Sequence, residues 1–295
     1  MTPRERFTDL MESPGITVSP GVYDGISAKL VASLGFETAT ISGSAISNSR
    51  LGKPDVGYLD MTENVHQSRH IADAVDIPVH ADADTGYGNA MNVYNTVERL
   101  EQVGVASVML EDQDWPKRCG HMEGKSVIPA EEMVQKIEAA DDARTDPHFH
   151  IKARTDATAP YDVEESVRRL NMYVDAGADM VFADALLSRK DIEYVCDNTN
   201  APVWVNMGYA IRERPTTPLF SVSELEEMGV DFVSVPRLIT GSAVRGMQQA
   251  LGTLKEAADT GELIERPELT VGFEEYTELI GLTEYNEMEA KYSVD

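Results

Sequence analysis

The chain has 295 residues, of which 42% are hydrophobic, and this is enough for one large core. Its formal net charge of −26 argues against nucleic acid and anionic membrane surfaces as partners, because their phosphates would repel it. Acidic residues are dispersed along the chain rather than gathered in blocks, which favours a surface kept soluble in high salt over an acidic module for a basic partner.

Localisation follows from the same composition. The N-terminus lacks an apolar stretch of signal-peptide length, and no run approaches the ~18 apolar residues of a membrane span. The two cysteines, Cys119 and Cys196, lie far apart in sequence and are expected to be reduced. We expect a cytoplasmic protein of a halophilic organism.

Short apolar runs alternate with amphipathic stretches along most of the chain. The runs predict strands at residues 15–18, 38–42, 79–83, 107–111, 150–154, 180–184, 203–206 and 232–236. The stretches predict helices at residues 26–34, 62–74, 90–103, 130–142, 163–176 and 222–228, with two or three more after residue 262.

This alternation predicts a single right-handed parallel (β/α)8 barrel of the TIM type over residues 1–295. Residues from about 255 to 295 fall outside the eight units, and we expect them to form a helical extension for oligomer contacts. A doubly wound open sheet is the alternative. It is disfavoured because no Gly-rich dinucleotide fingerprint follows the first strand.

Polar and charged residues follow the predicted strands directly. They are Ser42, Gly43, Ser44, Asp82, Asp84, Glu111, Arg154, Asp184, Asn206 and Arg237. In a (β/α)8 barrel these strand ends meet at the active site. Any one of them has an ordinary reading as a helix cap, but their recurrence after successive strands predicts a functional site.

Two carboxylates, Asp82 and Asp84, are two residues apart and so share one face of a strand. Glu111 follows the next strand. Three carboxylates without histidine or cysteine favour Mg²⁺, with Mn²⁺ as second choice, over zinc. The alternative is a pair of helix caps with an ion pair to Arg154. We prefer the metal because burying three carboxylates without a cation is costly.

A long loop at residues 112–125 carries the first cysteine. Cys119 is flanked by Lys117, Arg118 and His121, and nearby cations lower the pKa of a thiol, which suits an acid, base or nucleophile. The same cations would draw a polyanionic substrate into an otherwise acidic protein. The alternative for Cys119 is an inert small hydrophobe, a reading that fits Cys196 better.

Residues 117–125, Lys-Arg-Cys-Gly-His-Met-Glu-Gly-Lys, resemble the signature loop of the isocitrate lyase/phosphoenolpyruvate mutase superfamily, in its lyase branch. Four other stretches agree in order and spacing: Ser42-Gly43 with residues 51–55, then residues 82–88, 110–113 and 153–157. The resemblance runs from about residue 21 to 247, and the chain is similar in length to 2-methylisocitrate lyases.

The resemblance implies cleavage of isocitrate or 2-methylisocitrate to succinate plus glyoxylate or pyruvate. It implies a homotetramer that exchanges its last barrel helix, and Mg²⁺ held around Asp82, Asp84 and Glu111 mostly through water. It places the 2-oxo-acid half at Ser42, Gly43 and Arg154, and Cys119 at the enolate carbon of succinate, with Lys117, Arg118, Gly120 and His121 around it. Further predicted substrate-binding residues are Tyr23, Ser44, Asp184, Asn206, Thr217, Arg237 and Thr240.

The chain departs from the family pattern at two places. Asp184 stands where the family has glutamate, and the loop after Asn206 is longer and lacks a family glutamate, for which Glu213 is the candidate replacement. Leu110 resembles 2-methylisocitrate lyases, whereas Ile239-Thr240 resembles isocitrate lyases. Alternatives are dimethylmalate lyase, oxaloacetate decarboxylase, phosphonopyruvate-type C–P chemistry and, from another class, a non-catalytic barrel.

Overall fold

The computed structural model describes residues 1–120, 124–213 and 217–293. Its centre is a closed barrel of eight parallel strands in sequential order. The strands are β1 (Thr17–Val22), β2 (Ala39–Ile41), β3 (Val79–Asp82), β4 (Ser107–Glu111), β5 (His150–Thr155), β6 (Met180–Ala183), β7 (Val203–Asn206) and β8 (Phe232–Val235). The predicted (β/α)8 barrel is confirmed, and the open doubly wound sheet is excluded because β1 pairs with β8.

Helices follow the strands as the apolar periodicity indicates. They are α1 (Pro3–Glu12), α2 (Gly25–Ser33), α3 (Gly43–Ile46), α4 (Met61–Ala72), α5 (Ala90–Gln102), α6 (Ala130–Ala143), α7 (Val163–Asp175), α8 (Arg189–Asn198), α9 (Val222–Glu227), α10 (Leu238–Thr260), α11 (Phe273–Leu279) and α12 (Leu282–Tyr292). A π-helical segment spans Ser47–Leu51 and a 3₁₀ turn spans Pro267–Leu269.

The first strand differs from its prediction. It was predicted at residues 15–18, but it runs from Thr17 to Val22 and includes Pro20 and Gly21, residue types that usually interrupt strands. A Cβ on Gly21 would lie 2.3 Å from the Cα of Pro236, so glycine is required where β1 passes β8. Tertiary contact therefore overrides local propensity here.

The N-terminal helix α1 was not predicted. Thr2 accepts a hydrogen bond from the amide of Glu5, and the Glu5 carboxylate accepts one from the amide of Thr2, which is a capping box. Phe7 of this helix is fully buried at the N-terminal end of the barrel, 4.2 Å from the His80 ring and 5.7 Å from the Phe232 ring, measured between centroids. Helix α1 thus closes the end of the barrel opposite the polar strand ends.

The chain divides into two compact units, Met1–Leu238 and Ile239–Asp295. The barrel strands all lie in the first unit, and the second unit holds most of α10 together with α11 and α12. The extension expected from about residue 255 has its boundary inside α10, a continuous helix from Leu238 to Thr260. Within the described residues, no helix combines the length and apolarity that a membrane crossing needs.

Candidate active site

A cavity of about 60 Å³ opens at the C-terminal ends of the strands. The predicted site residues that line it are Ser42, Ser44, Asp82, Glu111, Lys117, Arg118, Cys119, Gly120, Arg154, Asp184, Asn206 and Arg237. The cavity is small beside the ~300–1,000 Å³ of typical ligand clefts.

The predicted metal carboxylates lie together at this mouth. Asp82 closes β3, and its Oδ2 accepts a hydrogen bond from the amide of Gly43 at 3.3 Å, while its Oδ1 accepts one from the amide of Asp84 at 3.2 Å. Glu111 closes β4, opposite Arg154 of β5 in the strand register. A Cβ on Gly43 would lie 3.0 Å from Asp82 Oδ2, so the small residue lets the backbone approach the carboxylate.

The carboxylates fit a hard cation, although no three of the described ligand-type side chains form a ready cluster for direct coordination. Glu111 Oε1 is buried and accepts no hydrogen bond from any described residue, whereas Asp84 Oδ1 is in contact with the ammonium of Lys117. Burial raises the pKa of Asp84 to about 7 and that of Glu111 well above its ordinary value. A buried carboxylate oxygen without a partner, such as Glu111 Oε1, is what a cation carrying several waters would satisfy.

The ammonium of Lys117 lies among these carboxylates, although Lys117 is close to Cys119 in the sequence. Its ammonium is 2.6 Å from Asp84 Oδ1 and also forms an ion pair with Asp55. Burial acts to lower the pKa of Lys117, but the surrounding carboxylates outweigh it and raise that pKa well above the ordinary value. Asp55 was read only as part of a motif, and its role as a lysine partner required the fold.

Arg154 is held rigidly by its neighbours. Its Nε donates to Asp156 Oδ2 at 2.8 Å and its Nη2 to Asp156 Oδ1 at 3.0 Å, while Nη1 lies 3.2 Å from Glu111 Oε2. Asp112 fastens the ends of β4 and β5 by accepting a hydrogen bond from the Thr155 hydroxyl at 2.7 Å. The guanidinium is thereby oriented for an anionic ligand before any ligand binds.

Cys119 is buried at the rim of the cavity. Its Sγ lies 2.8 Å from Nη2 of Arg237, which also donates to the Ser44 hydroxyl at 3.0 Å. The guanidinium therefore stands directly against the sulfur. Arg237 was predicted to bind substrate from its place after β8, and this contact with the cysteine was not foreseen.

The loop is packed onto the strand ends by its glycine. A Cβ on Gly120 would lie 2.2 Å from Asp184 Oδ2 and 2.8 Å from Arg154 Nη2, so no larger residue fits. Lys125 secures the same place, because its ammonium is 3.1 Å from the Gly120 carbonyl, 2.7 Å from Asp156 Oδ1 and 2.9 Å from Asp184 Oδ2.

The base of the loop is clamped by Gln113. Its side-chain amide donates to the Arg118 carbonyl at 2.9 Å and accepts from the Arg118 amide at 2.8 Å. The loop from residue 113 to 120 is therefore an ordered cover in this structure.

Four other predicted site residues are absent from the described lining of this cavity. Thr217 is buried and lines a smaller adjoining cavity with Asp184 and Asn206. Tyr23 is not among the described lining residues, so its predicted substrate role has no support from the cavity. Thr240 belongs to the second unit, on α10, and His121 lies outside the described residues.

Leu110 and Glu213, on which the prediction of the substrate partly depended, do not line the cavity. Leu110 is buried behind the barrel, 3.3 Å from a Cβ built on Gly86, and does not line the cavity, so it does not shape a methyl pocket there. Glu213 is exposed and is likewise absent from the lining, so the structure does not place it where the missing family glutamate was expected.

The floor of the cavity holds a lysine that the sequence reasoning missed. Lys152 of β5 is buried, and its ammonium lies 3.4 Å from the centroid of the Trp204 ring. It stands two residues before Arg154, and this spacing puts both side chains on the same face of β5. That alternation, from His150 through Lys152 to Arg154, was a readable signal.

A larger cleft of about 630 Å³ lies outside the barrel mouth, where α5 and α6 contribute Asn92 and Lys136 to its walls. Its described lining contains neither Cys119 nor the carboxylates Asp82 and Glu111. We therefore assign the chemistry to the smaller cavity, which gathers the charged strand ends.

Known proteins of several activities resemble this chain over most of its length. The family model described as phosphoenolpyruvate phosphomutase matches residues 7–255. The chain is 41% identical over 292 residues to carboxyvinyl-carboxyphosphonate phosphorylmutase of Arabidopsis thaliana, covering 98% of this chain and 84% of the relative. It is 37% identical to 2,3-dimethylmalate lyase of Eubacterium barkeri over 293 residues, with 99% of each chain covered.

A third relative is 2-methylisocitrate lyase of Aeropyrum pernix, 36% identical over 285 residues, with 97% of this chain and 89% of the relative covered. Among solved structures, oxaloacetate acetylhydrolase bound to 3,3-difluorooxalacetate superposes with a TM-score of 0.90 at 30% identity, covering 98% and 97% of the two chains. Phosphonopyruvate hydrolase, solved with oxalate and Mg²⁺, has a TM-score of 0.86 at 26% identity over 99% of both chains.

Proposed function

The chain belongs to the phosphoenolpyruvate mutase/isocitrate lyase superfamily, and on that premise we propose that it is a Mg²⁺-dependent carbon–carbon lyase of a small 2-hydroxy polycarboxylic acid. Isocitrate and 2-methylisocitrate are the first candidate substrates, and succinate plus glyoxylate or pyruvate are their products. The observation that carries the proposal is the pairing of Cys119 with Arg237 over a mouth lined by Asp82 and Glu111.

The metal proposal rests on the chemistry of the oxygen donors. Asp82, Asp84 and Glu111 would hold Mg²⁺, in part through waters, and relatives support that choice because one was solved with Mg²⁺ and oxalate. When bound, the cation would lower the pKa of the substrate's 2-hydroxyl and neutralise its adjacent carboxylate.

The remaining steps belong to the chain's own residues. Arg154 is oriented by Asp156 to bind the carboxylate of the fragment that becomes the 2-oxo acid. As the carbon–carbon bond breaks, the departing dicarboxylate gains negative charge, which Arg237 is placed to stabilise. The Cys119 thiol then donates its proton to the departing carbon, and the resulting thiolate faces the guanidinium of Arg237.

The loop supplies a closed environment for this reaction. Gly120 brings its backbone against Arg154 and Asp184, and Gln113 fixes the base of the loop. Closure excludes water from the carbanion-like fragment, so protonation comes from the cysteine instead of the solvent.

Homologues act on small molecules, and we propose the same class for this chain, together with assembly into a homotetramer through exchange of the last barrel helix. Large apolar side chains of the second unit support assembly because they are strongly exposed in the single chain, including Leu251 at 63%, Leu254 at 65% and Phe273 at 80%.

A second candidate is 2,3-dimethylmalate lyase, which would release pyruvate and propionate by the same bond cleavage. It is favoured by a relative of that name that matches over 99% of both chains. A fold so similar to oxaloacetate acetylhydrolase makes oxaloacetate a necessary third compound in any assay.

The test is product identification with purified protein in high salt and Mg²⁺. We expect isocitrate or 2-methylisocitrate to release a 2-oxo acid at a rate that falls about 10²–10⁴-fold in Cys119→Ser, the range that one acid–base group contributes. Cys196→Ser is the matched control, because burial raises the pKa of Cys196 to about 12 and its helix lies outside the barrel mouth. Oxaloacetate breakdown without cleavage of any hydroxy acid would contradict the proposal.

A further inference from the structure

Lys152 occupies the floor of the cavity, below the groups that the proposed reaction uses. The side chain is only 2% exposed, and its ammonium lies over the ring of Trp204. That ring stacks on Phe232, with a centroid distance of 4.7 Å and an interplanar angle of 3°. The attraction of an aromatic face for a cation offsets only part of the cost of burying an ammonium.

No carboxylate of the described residues lies within ion-pair distance of this ammonium, and no described residue hydrogen-bonds it. Two neighbouring cationic side chains, in contrast, are paired with carboxylates. Lys117 is paired with Asp84, and Arg154 with Glu111. Burial lowers the pKa of Lys152 to about 7, although the charge of Asp82 acts in the opposite direction. The charge most able to stabilise this ammonium is therefore an anion that enters from the cavity.

The cavity reaches the lysine directly, since Lys152 is part of its lining together with Thr40 and Ser234. Lys152 precedes Arg154 by two positions on β5, so its backbone lies about 6–7 Å deeper in the barrel at ~3.3 Å per residue. A ligand whose first carboxylate contacts Arg154 would need a second carboxylate a few carbon–carbon bonds away to meet the floor.

We propose that Lys152 forms an anion subsite at the floor of the cavity that takes one carboxylate of the substrate, so that the enzyme selects tricarboxylic over dicarboxylic 2-hydroxy acids. Assigning that carboxylate to a substrate rests on the proposed lyase function. The subsite favours the isocitrate type of substrate over 2,3-dimethylmalate, which has only two carboxylates.

The experiment compares two ligands that differ in one carboxylate. Tricarballylate has three carboxylates, and 2-ethylsuccinate replaces one terminal carboxylate with a methyl group. Neither has a hydroxyl, so neither undergoes the proposed cleavage, and their dissociation constants are measured by calorimetry with Mg²⁺ and high salt. The wild-type protein should bind tricarballylate at least about tenfold more tightly, a difference of about 1.4 kcal/mol.

Lys152→Met should weaken tricarballylate binding by about 10–100-fold and change 2-ethylsuccinate binding by less than about threefold, because only one ligand has the carboxylate to lose. Lys152→Gln serves as a polar second variant if the first does not fold. Lys190→Met, at an exposed position of α8, makes the same change in net charge and should alter neither constant.

The proposal is overturned if the wild type shows no preference for tricarballylate, or if Lys152→Met weakens both ligands equally or neither. The two proposals fail separately. A preference that depends on Lys152, without cleavage of any hydroxy acid, would retain the subsite and reject the lyase. Cleavage with a preference unaffected by Lys152→Met would do the reverse.

Discussion

At the scale of single residues, Arg237 shows how one side chain joins two parts of the site. It follows β8 in the sequence, yet its Nη2 contacts both Cys119 of the loop and Ser44 of α3. The guanidinium therefore acts on the group proposed to carry the proton. Solvent screens this charge little, because the sulfur lies 2.8 Å from the guanidinium and Cys119 is only 7% exposed.

Replacing Arg237 tests that role. We expect Arg237→Met to lower kcat about 10–100-fold while the affinity for Mg²⁺ is unchanged, since the side chain contacts the thiol and not the metal carboxylates. Arg237→Lys should recover part of the loss. Arg168→Met removes an exposed guanidinium paired with Glu165 and should leave kcat within about twofold, because surface pairs contribute little. Equal losses in the two methionine variants would reject a specific role for Arg237.

Lys152 yields a prediction about stability and pH. Its folded pKa of about 7 lies below the ~10.4 of an unfolded lysine, so the unfolded state binds the extra proton between these values. The loss of folding stability that the buried ammonium causes is therefore largest below pH 7, and it decreases as the pH rises toward 10. Without ligand, Lys152→Met should raise the free energy of unfolding by about 2–4 kcal/mol at pH 6–7 and by less at pH 9.5.

Urea unfolding at fixed salt measures this difference. Asp82, Arg154 and His80 also act on the charge of the lysine, so the comparison is made between variant and wild type at each pH. A gain in stability that is constant from pH 6 to 9.5 would show that packing, and not the ammonium, is responsible.

At the scale of elements, periodicity predicted most of the barrel because the apolar runs are buried on both sides. Strands β4 and β7 begin and end where expected, at Ser107–Glu111 and Val203–Asn206. Strand β1 was misplaced because Pro20 and Gly21 look like a turn, and only the close approach to Pro236 explains them. Helix α1 was overlooked although Thr2 and Glu5 form a recognisable capping box.

The site was predictable to the extent that it lies at strand ends. Asp82, Glu111 and Arg154 could be placed from their positions after apolar runs. Lys152 was missed although it shares a face of β5 with Arg154, whereas the contact of Arg237 with Cys119 depends on how the loop folds over the barrel.

The loop 112–125 offers a prediction at the same scale. Gly120→Ala would place a methyl group 2.2 Å from Asp184 Oδ2, so the loop must shift away from Arg154. We expect kcat/KM to fall at least about tenfold, because misplacement by about 1 Å can cost a hundredfold. Gly246→Ala, on α10 with nothing within 4 Å of the added Cβ, is the matched control and should retain activity. Full activity of Gly120→Ala would mean that the closed loop is not required.

At the scale of the whole molecule, the net charge predicts how thermal stability depends on salt, and the exposed apolar surface predicts assembly. With a net charge of −26, we expect the midpoint of thermal unfolding to rise between 0.1 and 2 M KCl, as screening weakens self-repulsion. Differential scanning fluorimetry checks this, and a midpoint that falls with salt would contradict a halophilic origin.

Assembly is tested by light scattering after chromatography. We expect a tetramer, and we expect the double variant Leu251→Glu with Leu254→Glu to dissociate, because both side chains are 63–65% exposed in the single chain and lie on α10. Thr253→Glu, on the same helix, controls for added charge. A monomeric wild-type protein would reject the helix exchange.

We propose above all that the enzyme breaks a carbon–carbon bond and that Cys119 protonates the departing fragment. Mass spectrometry of both products formed in D₂O, with Mg²⁺ and high salt, tests it most directly. We expect equal amounts of a 2-oxo acid and a dicarboxylate, with one deuterium on the carbon that was cleaved, and a rate of formation of both products about 10²–10⁴-fold lower in Cys119→Ser. Release of CO₂, or of oxalate and acetate from oxaloacetate, with no cleavage of any 2-hydroxy acid, would contradict it.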